Sequence, residues 1–222
     1  IHMSAKDYLD VPDRIDLTER IELEPAIMAQ YKSFEKNLLL ELDNGDEVEA
    51  MTAAVLANKL LQTANGSAYT DKNGSWTAIH SEKLDALAEI IEDNPNENIL
   101  VAYNYRFDLE RLQAKFKKAV VLDKKQETID RWNRGEIKLL LAHPASASHG
   151  LNLQNGGSLE YYQQFNARLH RQGQLKPVRI VHIVCADTID ERVMNVLSMK
   201  NATQKKLLMA LKPTQTKPRE IQ

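Results

Sequence analysis

The sequence predicts an α/β fold, a layered domain with a parallel sheet, preceded by an α-helical subdomain. Three observations carry this. From residue 81 onward, short apolar runs alternate with stretches whose apolar residues recur at helical spacing. The runs at 99–102, 119–122, 137–142 and 178–185 are continuous rather than alternating, as strands covered on both faces of a parallel sheet are. Ahead of residue 65, apolar residues return mainly at three- and four-residue intervals, the period of helices packed through one face.

Taken in order, residues 1–23 form an extended lead-in, with Arg14-Ile15-Asp16-Leu17 and Arg20-Ile21-Glu22-Leu23 reading as extended pieces. Ile1-His2-Met3 reads as a tag remnant, and the natural chain is expected to continue upstream. A helical protrusion occupies 24–75. Its first helix, 24–42, opens on Glu24-Pro25, where a missing N–H costs nothing, and carries Ile27, Tyr31, Phe34, Leu38 and Leu42. Asn44-Gly45 breaks it, and a second helix runs over about 47–64 with Val55, Leu56, Leu60 and Leu61 apolar. Asn65-Gly66-Ser67 and Asn73-Gly74-Ser75 read as loops or turns.

The α/β domain is assigned to 76–211. Ser81 opens a helix with Leu84, Leu87, Ala88 and Ile91 on one face. The strand at 99–102 follows, then a helix with Leu109, Leu112 and Phe116, then the strand at 119–122. The next helix, about 125–134, ends with Gly135 at the position just past its C-terminus. After the strands at 137–142 and 178–185, Thr188-Ile189-Asp190-Glu191 is a capping box that opens a helix running to about 211. The Pro213- and Pro218-containing tail, 212–222, reads as disordered. Strand–helix alternation of this kind requires right-handed crossovers.

With 222 residues and 43% hydrophobic content the chain can bury one sizeable core. No apolar run approaches the length of a transmembrane helix, so no membrane partner is expected. The lone Cys185 lies in an apolar run and reads as a small core residue; it has no partner for an intrachain disulfide, which fits a reducing, cytoplasmic location. The net charge of −2 conceals an asymmetry: −8 over residues 1–50, −4 over 51–100 and +10 over 101–222. The basic half suits a polyanionic partner such as DNA or a nucleotide. The histidines show no ligand spacing and no cysteine companions, so no metal site is expected. Asp46-Glu47 follows a turn and Asp190-Glu191 sits in a helix cap, neither of which is the end of a strand. No Gly-Lys-Ser/Thr phosphate loop occurs, and neither Ser146 nor Ser148 stands in a nucleophile elbow.

The chemistry concentrates in two stretches. In a helix over about 158–171, Gln164, Arg168 and Arg171 fall at i, i+4 and i+7 and share a face, while Leu159, Tyr162, Phe165 and Leu169 lie near the opposite one. Two guanidiniums held in this way suit a triphosphate, because each is a planar fork of donors that stays charged at any working pH. Upstream, directly after the strand at 137–142, lies His143-Pro144-Ala145-Ser146-Ala147-Ser148-His149-Gly150-Leu151-Asn152-Leu153. Loops at the carboxyl ends of parallel strands are where open α/β sheets bind ligands. Gly150 permits close backbone approach or an unusual dihedral, Asn152 can hydrogen-bond a ribose or orient the loop, and Ser146 and Ser148 offer hydroxyls to a phosphate.

The run Gln164…Arg168…Arg171-Gln172-Gly173-Gln174 resembles motif VI of the superfamily-two helicases, especially the Swi/Snf-type DNA translocases, and the loop ending Gly150-Leu151-Asn152-Leu153 resembles their motif V. Pro144 and Ser148 depart from that family's usual Thr and second Gly. The strand 99–102 with Tyr103-Asn104 resembles motif IV, residues 129–135 resemble the stretch before motif V, and 79–84 resemble the segment that opens the second lobe. The resemblance, over roughly 76–211, implies a C-terminal RecA-like lobe with a three-layer α/β/α build. It implies ATP with Mg2+ held mainly by an N-terminal RecA-like lobe of the same protein, and double-stranded DNA as partner. Arg168 and Arg171, with Gln164, would act on the γ-phosphoryl; Gly150 and Asn152 would face the nucleotide; Ser146, Ser148 and Asn104 would face DNA. The chain alone would then be inactive as an ATP hydrolase. The competing reading is a non-catalytic DNA- or protein-binding module that keeps the helicase-lobe fold. One join breaks the alternation: between the strand at 137–142 and the motif VI helix no strand can be read. About ten residues, one short strand with its loops, are expected to be absent between Gly157 and Ser158.

Overall fold

The computed structural model describes residues 13–42, 49–123, 125–144, 166 and 177–197, with the side chains of 38–42 and 49–54 left aside. The order of elements is β1 (Arg14–Ile21), α1 (Pro25–Leu42), α2 (Glu49–Ala64), β2 (Ser67–Tyr69), β3 (Trp76–Ala78), α3 (Glu82–Asp93), β4 (Ile99–Ala102), α4 (Arg106–Lys115), β5 (Val120–Val121), α5 (Gln126–Asn133), β6 (Leu139–Ala142), β7 (Val178–Cys185) and α6 (Ile189–Leu197). The expected α/β class with a parallel sheet is the one observed. The chain divides into two compact units, residues 1–21 with 83–184, and residues 22–82 with 185–222.

The first unit holds a three-stranded parallel sheet of order β4-β6-β5. In register, Ile99, Leu100, Val101 and Ala102 stand opposite Leu139, Leu140, Leu141 and Ala142, and Val120 and Val121 stand opposite Leu140 and Leu141. The central strand β6 is buried along its whole length, which is why its four residues are all apolar without alternation. Leu139 and Leu141 share one face and form a core cluster with Leu87 of α3 and Leu112 of α4. Ile99, Val101, Leu109, Val121 and Ile183 close around it. Burial of each such side chain contributes about 1.5–3 kcal/mol. Helix α5 stops as expected: Gly135, φ +75°, takes the left-handed conformation after Arg134, and the Arg134 N–H bonds Asp130 C=O at 3.0 Å. In the same unit β1 pairs with β7 in a separate two-stranded sheet.

In the second unit, α1, α2 and α6 pack through Tyr31, Leu56, Leu60, Ala64, Ile189 and Val196, all buried. The Tyr31 hydroxyl oxygen accepts the Ile189 N–H at 2.9 Å, so a side chain of α1 satisfies the first turn of α6. The Cys185 thiol, fully buried as expected, donates to Ala64 C=O at 3.3 Å. The Thr188 cap forms with different partners from those of a simple capping box. Thr188 Oγ1 accepts the Asp190 N–H at 3.2 Å, and the Glu191 carboxylate takes the Asp187 N–H at 3.2 Å. Asp187 itself is left-handed at φ 55°, and the N–H that Glu191 accepts is the one a residue before the Thr188 cap. Around the two loops or turns read at 65–67 and 73–75, the chain forms an antiparallel hairpin, β2–β3, that was not expected. Its strands are three residues each, too short to show a period. An Asp71 carboxylate that takes the N–H groups of Asn73 and Ser75 builds its turn. Hydrogen bonding from Ser75 holds that carboxyl below its ordinary range.

Candidate functional site

The site is assembled at the carboxyl edge of the β4-β6-β5 sheet. Because β4 and β6 run parallel with Ala102 opposite Ala142, the residues that follow them emerge side by side. His143 Nε2 lies 3.3 Å from Asn104 C=O, and the Tyr103 and His143 rings meet edge to face, centroids 5.7 Å apart. The backbone leaves β4 with a Tyr103 N–H bond to Ala142 C=O at 3.2 Å. Burial raises the Tyr103 hydroxyl's ionisation above its ordinary value, so the ring presents a neutral phenol to this edge.

Helix α4 begins three residues after Tyr103, at Arg106. The Tyr105 N–H is taken by the Asp108 carboxylate at 3.0 Å, and that acid also complements the positive end of the helix. The Tyr105 and Phe107 rings stack at 4.9 Å, with Phe107 fully buried; this ring pair anchors the turn that carries Asn104. Asn104 is exposed on the rim. Arg106, also exposed, pairs with Glu110 one turn along at 3.0 Å. At the end of β5, Asp123 accepts from the Thr128 side chain and the Lys125 N–H, and these bonds hold its carboxyl below the ordinary range. The carboxyl edge therefore carries an amide, an imidazole, a phenol and an anion held in place by the start of α5. This is a set suited to hydrogen-bonding a polar ligand at several points.

Of the residues singled out in the sequence, Asn104 is placed, and it is brought against the first residue of the motif V loop. Ser146, Ser148, Gly150, Asn152, Gln164, Arg168 and Arg171 lie outside the described residues, as does the join at Gly157 and Ser158. Asp190 and Glu191 are placed as caps: the Asp190 carboxylate takes the Cys185 N–H at 3.1 Å. Among the described residues no three His, Cys, Asp or Glu side chains gather as a metal site would require. No helix among them is long and apolar enough to cross a membrane. Sequence reasoning quoted His143 and Tyr103 within their motifs and gave neither a role. Both were visible as the residues next to Asn104 and the motif V loop, and only the parallel pairing of β4 with β6 shows that they meet. It gave no role either to His80, whose ring lies buried with Nε2 2.8 Å from Thr63 C=O and Nδ1 2.6 Å from Glu82.

No family model matches the chain. A putative protein, p41, of Acyrthosiphon pisum secondary endosymbiont phage 1 is 42% identical over 227 residues, covering 96% of this chain and 49% of its own length. The human chromatin-remodeling ATPase INO80 is 27% identical over 112 residues, 46% of this chain and 7% of its own. This chain thus spans about half the phage relative's length and a small part of INO80. Among solved structures, the C-terminal part of the Fun30 ATPase domain superimposes with TM-score 0.59 at 16% identity, over 90% of this chain and 96% of that one. The Sulfolobus solfataricus SWI2/SNF2 ATPase core in complex with dsDNA superimposes with TM-score 0.61 at 20% identity, over 84% of this chain and 44% of that one. The fold is that of the C-terminal, RecA-like lobe of SWI2/SNF2 ATPases, as the motif resemblance implied.

Proposed function

We propose that this chain, which has the fold of a SWI2/SNF2 C-terminal lobe, is the second motor lobe of an ATP-dependent DNA helicase or translocase. The observation that carries the reading is a coincidence in one chain: this fold, and the Gln164–Arg168–Arg171 register following a Gly150-Leu151-Asn152-Leu153 loop on the central strand. Arg168 and Arg171 reach the γ-phosphoryl of ATP seated on a preceding lobe and stabilise the charge that develops during transfer, with Gln164 ordering the polar groups around them. Gly150 and Asn152 approach the nucleotide. Asn104, Ser146 and Ser148 contact the backbone of double-stranded DNA from the carboxyl edge. His143 supports this arrangement by linking the β4 and β6 exits. Mg2+ would neutralise phosphate charge when bound; among the described residues no three His, Cys, Asp or Glu side chains cluster to hold it, and we assign its ligands to the other lobe. The likeness of INO80 and of the DNA-bound archaeal core supports DNA as the substrate.

The test is DNA-stimulated ATP hydrolysis by the full-length protein. Arg171→Ala should lower turnover by about 10³–10⁵-fold, the range for arginine fingers, while nucleotide affinity stays within a few-fold of the parent. Equal loss of turnover and nucleotide binding would contradict the finger role. Residues 1–222 alone should not hydrolyse ATP, and robust turnover by that chain, abolished by Arg171→Ala, would remove the two-lobe reading.

A further inference from the structure

His80 is the most deeply buried histidine among the described residues, with its side chain 1% exposed, and the proposed motor chemistry makes no use of it. It lies between β3 and α3, beside the end of α2. The last four carbonyls of a helix have no partner within it, and in α2 each is met from outside. Leu61 and Gln62 C=O accept the Asn65 N–H at 3.0 and 3.1 Å, and Ala64 C=O accepts the Cys185 thiol at 3.3 Å. Thr63 C=O accepts the Gly66 N–H at 2.9 Å and His80 Nε2 at 2.8 Å. A carbonyl only accepts, so Nε2 carries a proton. Nδ1 lies 2.6 Å from Glu82 Oε2, and two groups that both only accept do not come so close, so one further proton belongs to this pair. The two helix ends place it on the ring. Glu82 is the first residue of α3, where the positive end of the helix favours a carboxylate, and its side chain is 23% exposed, so water also reaches it. The last turn of α2 has no basic residue, so His80 is the cation that its negative end lacks.

We propose that His80 and Glu82 form a proton-dependent clasp: the imidazolium closes the end of α2 and ties it to the start of α3, and loss of its proton lets this joint open. The joint is also the base of the β2–β3 hairpin, where the Ile79 and His80 N–H groups both go to Gly66 C=O, at 2.8 and 3.2 Å. Opening therefore frees the hairpin base together with the end of α2. The other ionisable groups on the elements that meet here have places of their own. Lys59, one turn back along α2, donates to Tyr69 C=O at 2.7 Å. On the hairpin strands Tyr69 is the one titratable side chain, and neither strand carries a charge. Lys83 follows Glu82 on α3. At the neighbouring Ala64 carbonyl stands Cys185, whose N–H is taken by the Asp190 carboxylate at 3.1 Å. The folded chain holds on the ring a proton that the unfolded chain, with an ordinary imidazole of pKa about 6.5, releases more readily. The clasp's contribution is therefore complete below about pH 6.5 and is lost as pH rises through the titration of the folded ring. The inference concerns the second unit and is independent of the motor reading.

The experiment is an NMR titration of the 222-residue chain that follows the His80 ring nitrogens and the Glu82 carboxyl carbon. At about pH 7, where an ordinary imidazole is mostly neutral, most His80 rings should carry both protons and Glu82 should read as a carboxylate. Glu82→Gln keeps the side chain's size and removes its charge, and should bring the doubly protonated fraction at that pH below one half. Amide protection at Ile79, corrected for the intrinsic exchange rate at each pH, should fall by about tenfold in the parent as the ring loses its proton. In Glu82→Gln the same protection should change little over that range. The Tm gap between parent and variant should narrow as pH rises from about 6 to about 9. A ring that carries a proton on Nε2 alone at pH 7 would overturn the proposal. So would a protonated Glu82 at that pH, or Ile79 protection that does not follow the titration of the ring. These three readings are taken on the parent chain and hold whether or not the variant folds.

Discussion

Tyr31→Phe removes one oxygen from the second unit and tests how α6 is anchored. Tyr31 is 1% exposed, and its hydroxyl accepts the N–H of Ile189, the first residue of α6, at 2.9 Å. The first N–H groups of a helix have no partner within it. Thr188 Oγ1, the nearest capping hydroxyl, is engaged with Asp190 N–H and Cys185 C=O, which leaves Ile189 N–H to the tyrosine. Phenylalanine keeps the ring and nearly all the packing, so the change isolates the hydrogen bond. Leaving a buried N–H unmet costs about 1–3 kcal/mol. For a chain of this size that corresponds to roughly 2–4 °C in Tm per kcal/mol. Burial pushes the ionisation of this hydroxyl well above the ordinary tyrosine value, so the deficit should not vary with pH across the neutral range. Urea unfolding of the parent and Tyr31→Phe, at equal m, gives the difference directly. A deficit below about 0.3 kcal/mol, well under the cost of an unmet buried donor, would refute the reasoning, because it would mean that Ile189 N–H is satisfied without Tyr31.

Three further changes probe other parts of the structure. Leu141→Ala, at a fully buried position on the central strand, should destabilise by about 2–5 kcal/mol in urea titration through lost burial and the cavity left behind. Gly135→Ala forces a Cβ into a left-handed position and to 3.2 Å from Asn98 Nδ2, and should cost about 1–2 kcal/mol by the same measurement. Burial, opposed by Asp16, lowers the His182 pKa from its ordinary 6.5. The unfolded chain then takes up a proton more readily than the folded one, so this contribution is complete above about pH 6.5 and is lost as pH falls through the lowered folded value. The fall in Tm between pH 7 and pH 5 should therefore be shallower in His182→Gln than in the parent.

Local patterns made much of the fold legible. β4 appears as four apolar residues in a row and was bounded correctly, and α1 starts at Pro25, where a proline costs no hydrogen bond. Gly135 marks the end of α5 because only a left-handed residue closes the helix there without strain. The hairpin of β2 and β3 was not legible, since strands of three residues carry less than two periods of alternation. The strand pairing of β1 was not legible either. Arg14–Ile21 is almost wholly exposed, and its partner β7 lies more than 150 residues further on, so nothing local selects it.

What the sequence determined alone is the run of helices and strands apart from the β2–β3 hairpin, the α/β class and the motif register, because these rest on periods and caps that span a few residues. The strand order β4-β6-β5, the meeting of Tyr103 and His143 beside Asn104, and the capping of α6 by Tyr31 were decided by the tertiary structure. Each joins groups distant along the chain through packing of apolar faces, and a face that only needs to be covered does not specify in its own residues what will cover it.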